Sequence, residues 1–359
     1  MVKYILRRLL QAVPTFFGIT LLAYVLMTAA PGGPLGVLYF SNPKMSNSQK
    51  EKLALQLGVH DPVYVQYLRW LIGDDWMRWD SDGDGVADRA VLSELDADGD
   101  GVPEPPGERR GVLRGDFGTS FFSKRPVLDV ISERIMPTLE LSIASLTVGI
   151  LIGVPLGILA AVRKGSIFDN ITRILAVVFD AIPGFWLALM LLIIFAVTFH
   201  VVPLGGRCKT TLDDSCPPIY QRLEYMILPI FVLATGPIAG YSRFTRASML
   251  DVIGQDYIRT ARAKGLGERM VWFKHGARNA LMPIATFLGP SLTGLLGGAV
   301  ITETIFSYPG LGRALTSAAT QRDYPVVMAA TIYAAVATIL GYLISDILYA
   351  LIDPRVRFD

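Results

Sequence analysis

Six apolar windows, each close to the roughly 20 residues needed to cross a bilayer, alternate with polar stretches along the chain, at residues 9–30, 139–162, 174–199, 226–244, 284–305 and 326–352. Each predicts a membrane helix. The polar connection after the first window runs for about a hundred residues, with amphipathic helical spacing at 48–57 and 63–72. Structureless loops longer than about 15 residues are uncommon, so this length predicts a small subdomain. The connection after the fourth window, residues 255–283, is polar and basic. In it Tyr257, Ile258, Ala261 and Gly265 recur at near-helical spacing, Gly265-Leu266-Gly267 interrupts the pattern, and residues 268–281 resume it up to Pro283. Two short helices meeting at a hinge are expected there. The predicted fold class is an all-α membrane protein with six transmembrane helices. Its parts are an N-terminal membrane helix at 1–30, an outer region at 31–134, five further membrane helices at 135–352 and a tail at 353–359.

Composition agrees with a membrane protein. Hydrophobic residues make up 52% of the 359, charged residues 18%, and the mean hydropathy is +0.44, against about 25% charged in soluble domains. The net charge is only +2, so placement matters more than total. Lys3, Arg7 and Arg8 precede the first window, which puts the N-terminus in the cytoplasm and makes every even-numbered connection cytoplasmic. Arg163, Lys164 and Arg173, then Arg243, Arg246, Arg259, Arg262, Lys264, Arg269, Lys274 and Arg278, then Arg355 and Arg357 fit that orientation; the short outer connections carry only Arg207, Lys209, Arg222, Arg313 and Arg322. A multi-pass protein of the cell membrane with both termini cytoplasmic is expected. The first window is longer than a signal-peptide core of about 7 to 15 residues, so it reads as a retained anchor.

The outer region contains a repeated acidic pattern. Asp80, Asp82, Asp84 and Asp88 with Gly85 and Val86 recur sixteen residues later as Asp96, Asp98, Asp100 and Glu104 with Gly101 and Val102. Alternating carboxylates, a glycine for the sharp turn and a backbone carbonyl at the seventh place are the first three-quarters of a calcium-binding EF-hand loop. The bidentate glutamate of position twelve is absent, since Val91 and Gly107 stand there. The insert, about residues 74–114, is therefore expected to bind calcium weakly through Asp80, Asp82, Asp84, Val86 and Asp88, and through Asp96, Asp98, Asp100, Val102 and Glu104. Asp180 lies in the third window one turn before Pro183. Either it faces the bundle interior or a water-filled translocation path, or it hydrogen-bonds carbonyls freed by the proline. Cys208 and Cys216, with seven residues between them, are the chain's two cysteines and read as a disulfide in an oxidising compartment.

The inventory argues against an enzyme. No Gly-Lys dipeptide occurs, so no phosphate-binding loop of the G-x-x-x-x-G-K-[ST] type is present and this chain binds no nucleotide by that means. His60, His200 and His275 are scattered, and neither Asp180 nor Asp346 lies in the Gly-x-Gly-Asp setting of an intramembrane protease. No basic patch interleaved with aromatics suggests nucleic acid. A calcium-dependent sensor or adhesion protein anchored by its helices is the alternative to transport, but an anchor needs neither six spans nor a basic hinged connection.

Several motifs then make the pattern specific. Thr260-Ala261-Arg262-Ala263-Lys264-Gly265-Leu266, followed by Arg278-Asn279-Ala280-Leu281-Met282-Pro283, resembles the cytoplasmic EAA coupling motif of ATP-binding-cassette (ABC) importer permeases of the dipeptide/oligopeptide group. Gln66-Tyr67-Leu68-Arg69-Trp70-Leu71, the run from Gly115 to Ser120, the run from Thr302 to Arg313, Arg322-Asp323-Tyr324-Pro325-Val326 and the ending from Ala350 to Arg355 agree in order. The resemblance implies the transmembrane domain of a type I importer, with no catalysis of its own. Its implied partners are a homologous second permease, two ATPase subunits and an extracytoplasmic peptide-binding protein. It also implies that Ala261, Arg262, Ala263, Lys264, Gly265 and Leu266 couple to an ATPase: Ala261, Ala263 and Gly265 being small so the helix sits deep, Arg262 and Lys264 meeting acidic groups at the cleft rim. Two departures stand out. About forty residues separate the Tyr-Leu-Arg-Trp-Leu and Gly-Asp-Phe-Gly-Thr-Ser blocks, which nearly adjoin in the group, and Gly33 replaces the acid of its usual Pro-Gly-Asp-Pro.

Overall fold

The computed structural model describes residues 2–30, 46–49, 54, 58–96, 99, 101–209, 216–281, 284, 288, 291, 294 and 299–352. Among them, four helices are long and apolar enough to cross a membrane: Leu6–Ala29 within α1 (Val2–Ala29), α3 (Val127–Val162), α6 (Leu223–Ile253), and Tyr324–Ile347 within α9 (Tyr324–Ile352). Between α1 and α3 lies the short α2 (Val63–Ile72). The third window is not one straight helix. α4 (Ile167–Ala181) and a second arm, α5 (Gly184–Leu191) continued by a π-helical stretch at Leu192–Thr198, meet at 97°. The cause is local: Pro183 has no N–H to continue the ladder and forces Ile182 into an extended conformation, with ψ 121°. The window at 284–305 lies largely outside the described residues, although residues 299–305 are helical. Pro31 to Pro34 and the tail from Asp353 also lie outside them.

The chain forms two compact units, one of Met1–Ala12, Arg134–Ala314 and Ala334–Asp359, the other of Val13–Glu133 and Leu315–Tyr333. In the first, α3 and α6 pack through a row of glycines at intervals of four. A Cβ on Gly149 would stand 2.5 Å from that of Pro237, one on Gly153 2.8 Å from the Ile238 carbonyl, and one on Gly157 2.5 Å from the Ser242 carbonyl. Small residues let membrane helices approach closely where no hydrophobic force drives them together. α4 is turned inside out relative to a soluble helix: Ile167, Ile171, Ile174 and Val177 are exposed while Asp169, Thr172 and Ala176 are buried. An outward apolar row with an inward polar one is the arrangement a lipid solvent favours. Inward, the Asp169 carboxylate accepts both Nε–H and Nη2–H of Arg246, at 2.6 and 2.8 Å.

In the second unit, Tyr24, Tyr67 and Trp70 pack ring against ring over Leu71 and Met328. Arg69 is buried on the next face of α2, 2.5 Å from Asp61 and 3.4 Å from Asp74. Gly58 leaves the space for it, because a Cβ there would overlap the guanidinium. The insert is tied off at its neck. The Asp74 N–H donates to the Arg109 carbonyl, the Asp74 carboxylate accepts the Arg109 N–H, and Gly107 N–H donates to the Arg78 carbonyl. A Cβ on Gly111 would lie 2.2 Å from the Gly73 nitrogen. The inserted residues thus leave and re-enter at one point, which explains how they fit between two motif blocks without separating them. Within the insert β1 (Arg78–Trp79) pairs antiparallel with β2 (Arg89–Ala90), the only strands among the described residues and a small departure from the all-helical expectation.

Candidate functional site: the coupling element and its supports

The basic connection folds as a helix, a turn and a second helix. α7 (Asp256–Ala263) follows the extended Gln255 and carries Asp256 in its first turn, where the helix dipole favours an acid. Gly265 ends it at φ +74°, the left-handed conformation that glycine adopts without steric cost. Gly267 is extended, and α8 (Glu268–Met270) starts after it, continuing through a π-helical turn at Val271–Gly276 into Ala277–Ala280. Ile258 and Ala261 of α7 are buried with Ile158 and Ala161 of α3, Met249 of α6, and Val271, Trp272, Ala277 and Ala280. The element is therefore built onto the ends of α3 and α6 through a continuous apolar contact.

The six expected coupling residues divide between two faces. Ala263, Lys264 and Gly265 are exposed, Leu266 packs partly against the apolar cluster and Ala261 is buried in it. The small size of Ala261 thus serves close packing inside this chain. Arg262 is exposed, but it meets partners in its own chain: its guanidinium lies 4.5 Å from the centre of the Trp272 ring and its Nε 3.4 Å from the Glu268 carboxylate. Neither engagement was legible in residue spacing alone.

Asp180 sits one residue before the end of α4, and its carboxylate accepts a hydrogen bond of 2.6 Å from Arg243 on α6, both side chains being about half exposed. Cys208 and Cys216 are joined. Arg207, next to the bridge, and Arg222 both donate to Glu140 of α3, at 2.6 and 2.7 Å, and the Tyr308 hydroxyl reaches the same carboxylate at 3.2 Å. Nearby in sequence, Thr138 donates to the fully buried Glu303 at 2.7 Å, and the N–H of Arg313 donates to its other oxygen at 3.0 Å. Gly310 is required there, because a Cβ would stand 2.2 Å from that carboxylate. In the second unit Asp323 accepts the Ser120 hydroxyl at 2.5 Å and the Phe121 N–H at 3.0 Å. The motif blocks at 115–120 and 322–326 thus meet, as do 138–140 and 302–313.

In the insert, Asp80, Asp82 and Asp84 present carboxylate oxygens within 4.8 Å of one another. Backbone N–H groups of Gly83 and Gly85 bond the Asp80 carboxylate, and those of Gly85 and Gly83 hold it below the usual carboxylate range. For Asp82 the Asp84 N–H lowers the carboxyl, but the neighbouring Asp80 and Asp84 carboxyls outweigh it and push it up. Asp88 is turned to the Ser81 N–H and hydroxyl, and Val86 is exposed. Of the second loop, Asp98 and Asp100 lie outside the described residues. Asp96 accepts the Gly101 N–H and Val102 is exposed. Glu104 faces Arg78 at 3.1 Å, both side chains about one-tenth exposed, and so closes the insert internally.

Two family models match the chain: the inner-membrane component of binding-protein-dependent transport systems over residues 153–358, and the N-terminal part of the membrane component of such systems over residues 1–79. The first alone covers more than half the chain. The chain belongs to this family. As a member of it, the chain is a membrane component of a transport system, and the buried cluster of α3, α6, α7 and residues 271–280 lies in the part that the first model matches. Among curated relatives, the oligopeptide transport system permease protein AppB of Bacillus subtilis is 40% identical over 100% of both chains. The dipeptide transport system permease protein DppB of Escherichia coli K12 is 36% identical over 99% of both, and the glutathione transport system permease protein GsiC of Escherichia coli O1:K1 is 33% identical over 100% of both. Among solved structures, a chain of the inward-facing MetNI methionine ABC transporter is similar with a TM-score of 0.47 at 20% identity, covering 65% of this chain and 99% of that one.

Proposed function

We propose that this chain is a permease subunit of a type I ABC importer and forms half of the translocation pathway for di- and oligopeptides. Full-length similarity to permeases named for oligopeptides and dipeptides carries this reading. A homologous second permease completes the pathway, two separate ATPase subunits supply the energy and an extracytoplasmic binding protein delivers the cargo. The chain spans the membrane six times, residues 284–305 forming the fifth span, with both termini cytoplasmic. Closure of the ATPases moves α7, and the contact of Ile258 and Ala261 with α3 and α6 turns that movement into rigid-body rocking of membrane helices. Ala263, Lys264 and Gly265 form the face offered to the ATPase. Asp180 and Arg243, half exposed at the break between α4 and α5, are candidates for lining the pathway. Nickel chelates, glutathione and sugars are the alternative cargoes within the same transporter class. Purifying the cognate binding protein and identifying its ligand by mass spectrometry tests the substrate: short peptides are expected, and a sugar or a metal chelate would reassign it.

We also propose that the first loop of the insert, through Asp80, Asp82, Asp84 and the Val86 carbonyl, takes calcium at about 0.1 to 1 mM. The mutual repulsion that pushes Asp82 up is what a divalent cation relieves. Thermal unfolding of the full chain in detergent, with and without about 10 mM calcium, reads this. A calcium-dependent rise in Tm at pH 7 is expected; no rise, or one unaltered in Asp82→Asn, would contradict it.

A further inference from the structure

The turn between α7 and α8 has little stiffness of its own. Gly265 stands at φ +74° and Gly267 follows two residues later, with nothing within 4 Å of where a Cβ on either would lie. On the inner side Ile258 and Ala261 pack with Val271 and Trp272, but on the exposed side the turn has only these two glycines. There Arg262 crosses it, its side chain about half exposed. From the last turn of α7, Arg262 places its guanidinium 4.5 Å from the centre of the Trp272 ring and its Nε 3.4 Å from the Glu268 carboxylate. The two partners differ in character. Glu268 is well exposed and its ion pair is weak in water. Trp272 is only 6% exposed, held among Ile258, Ala261, Met249 and Val271, so its ring is a fixed platform for a cation. It lies in the π-helical turn, a wide helical turn frequently found at functional positions.

We infer that Arg262, Glu268 and Trp272 form a brace across the glycine turn, and that the brace fixes the angle between α7 and α8 so that the element moves as one piece. Arg262 is in this account a positioning residue acting through Trp272, and its charge is spent within the chain rather than at an ATPase cleft. The inference rests on the transport reading above and adds a part to it. It also accounts for an arginine in preference to a lysine, since a planar guanidinium can stack on an indole while one edge turns to a carboxylate.

The test uses the complete transporter in proteoliposomes and reads substrate transported per ATP hydrolysed. Trp272→Leu keeps an apolar side chain but removes the π face, and is expected to lower that ratio about two- to five-fold. Trp272→Phe keeps a face and is expected to stay close to the unaltered protein. Arg262→Gln should lower the ratio as Trp272→Leu does, and the double variant should fall no further, because the two act as one unit. Additive losses, or an unchanged ratio in Trp272→Leu and Arg262→Gln while Gly265→Arg uncouples the complex, would overturn the brace and leave the transport reading standing. If Gly265→Arg also leaves coupling intact, the underlying reading fails with it.

Discussion

Gly265→Arg is expected to insert, fold and assemble, and to abolish the stimulation of ATP hydrolysis by substrate-loaded binding protein. Two effects combine at this position. The backbone sits at φ +74°, where a residue with a Cβ costs roughly 1 to 2 kcal/mol, so the arginine variant shifts the turn that ends α7. The position is also exposed, with open space above it, so the long cation projects from the surface proposed to enter the ATPase and blocks close approach. Gly265→Ala separates the two: it carries the conformational cost without the bulk and is expected to retain a reduced response. The check is ATPase activity of the reconstituted complex with and without loaded binding protein, alongside size-exclusion evidence that the subunits remain together. Normal stimulation in Gly265→Arg would remove α7 from the coupling path.

The second large effect is expected at Glu140. Its carboxylate is about one-tenth exposed and holds Arg207 and Arg222, with Tyr308 on the same oxygens. Replacing it by glutamine removes the charge and leaves two guanidiniums facing a neutral amide; Arg222, itself 4% exposed, has nowhere to turn for water. Breaking a buried pair by deleting one partner costs about 3 kcal/mol or more. Glu140→Gln should therefore lower Tm in detergent substantially. The loss should be smaller in the Arg222→Met, Glu140→Gln double variant, which removes a stranded charge. A Tm within a degree or so of the parent in Glu140→Gln alone would show that the cluster contributes little. Because Arg207 adjoins the Cys208–Cys216 bridge, the same cluster anchors that loop to α3.

Much of this architecture was legible in the residues because membrane helices announce themselves by length and apolarity. The windows that became α1, α3, α6 and α9 have little ambiguity, and the glycine break at 265–267 marked the end of α7 correctly. The bend at Pro183 was half legible: the proline was evident, but a 97° turn requires knowing that no neighbour re-forms the ladder. Polar partners were less legible. Glu303 and Thr138 are 165 residues apart, and Ser120 and Asp323 are 203 apart, so no local spacing links them. A hint existed, because an acid within or beside an apolar window needs a partner, and Glu140, Glu303 and Asp180 each found one. The contacts of Ala261 and Arg262 within the chain escaped for another reason. Smallness and charge are compatible with facing either a partner or the chain's own core, and only packing distinguishes the two.

The measurement that bears most directly on the central proposal is uptake. The chain, its second permease and both ATPase subunits are reconstituted into vesicles, the binding protein is supplied on the outer side with an isotopically labelled di- or oligopeptide, and internal label is followed with ATP or a non-hydrolysable analogue inside. Label is expected to accumulate against its gradient with ATP alone, and not without the binding protein. Equal, ATP-independent equilibration of label, or no entry of any short peptide while the complex hydrolyses ATP normally, would contradict it.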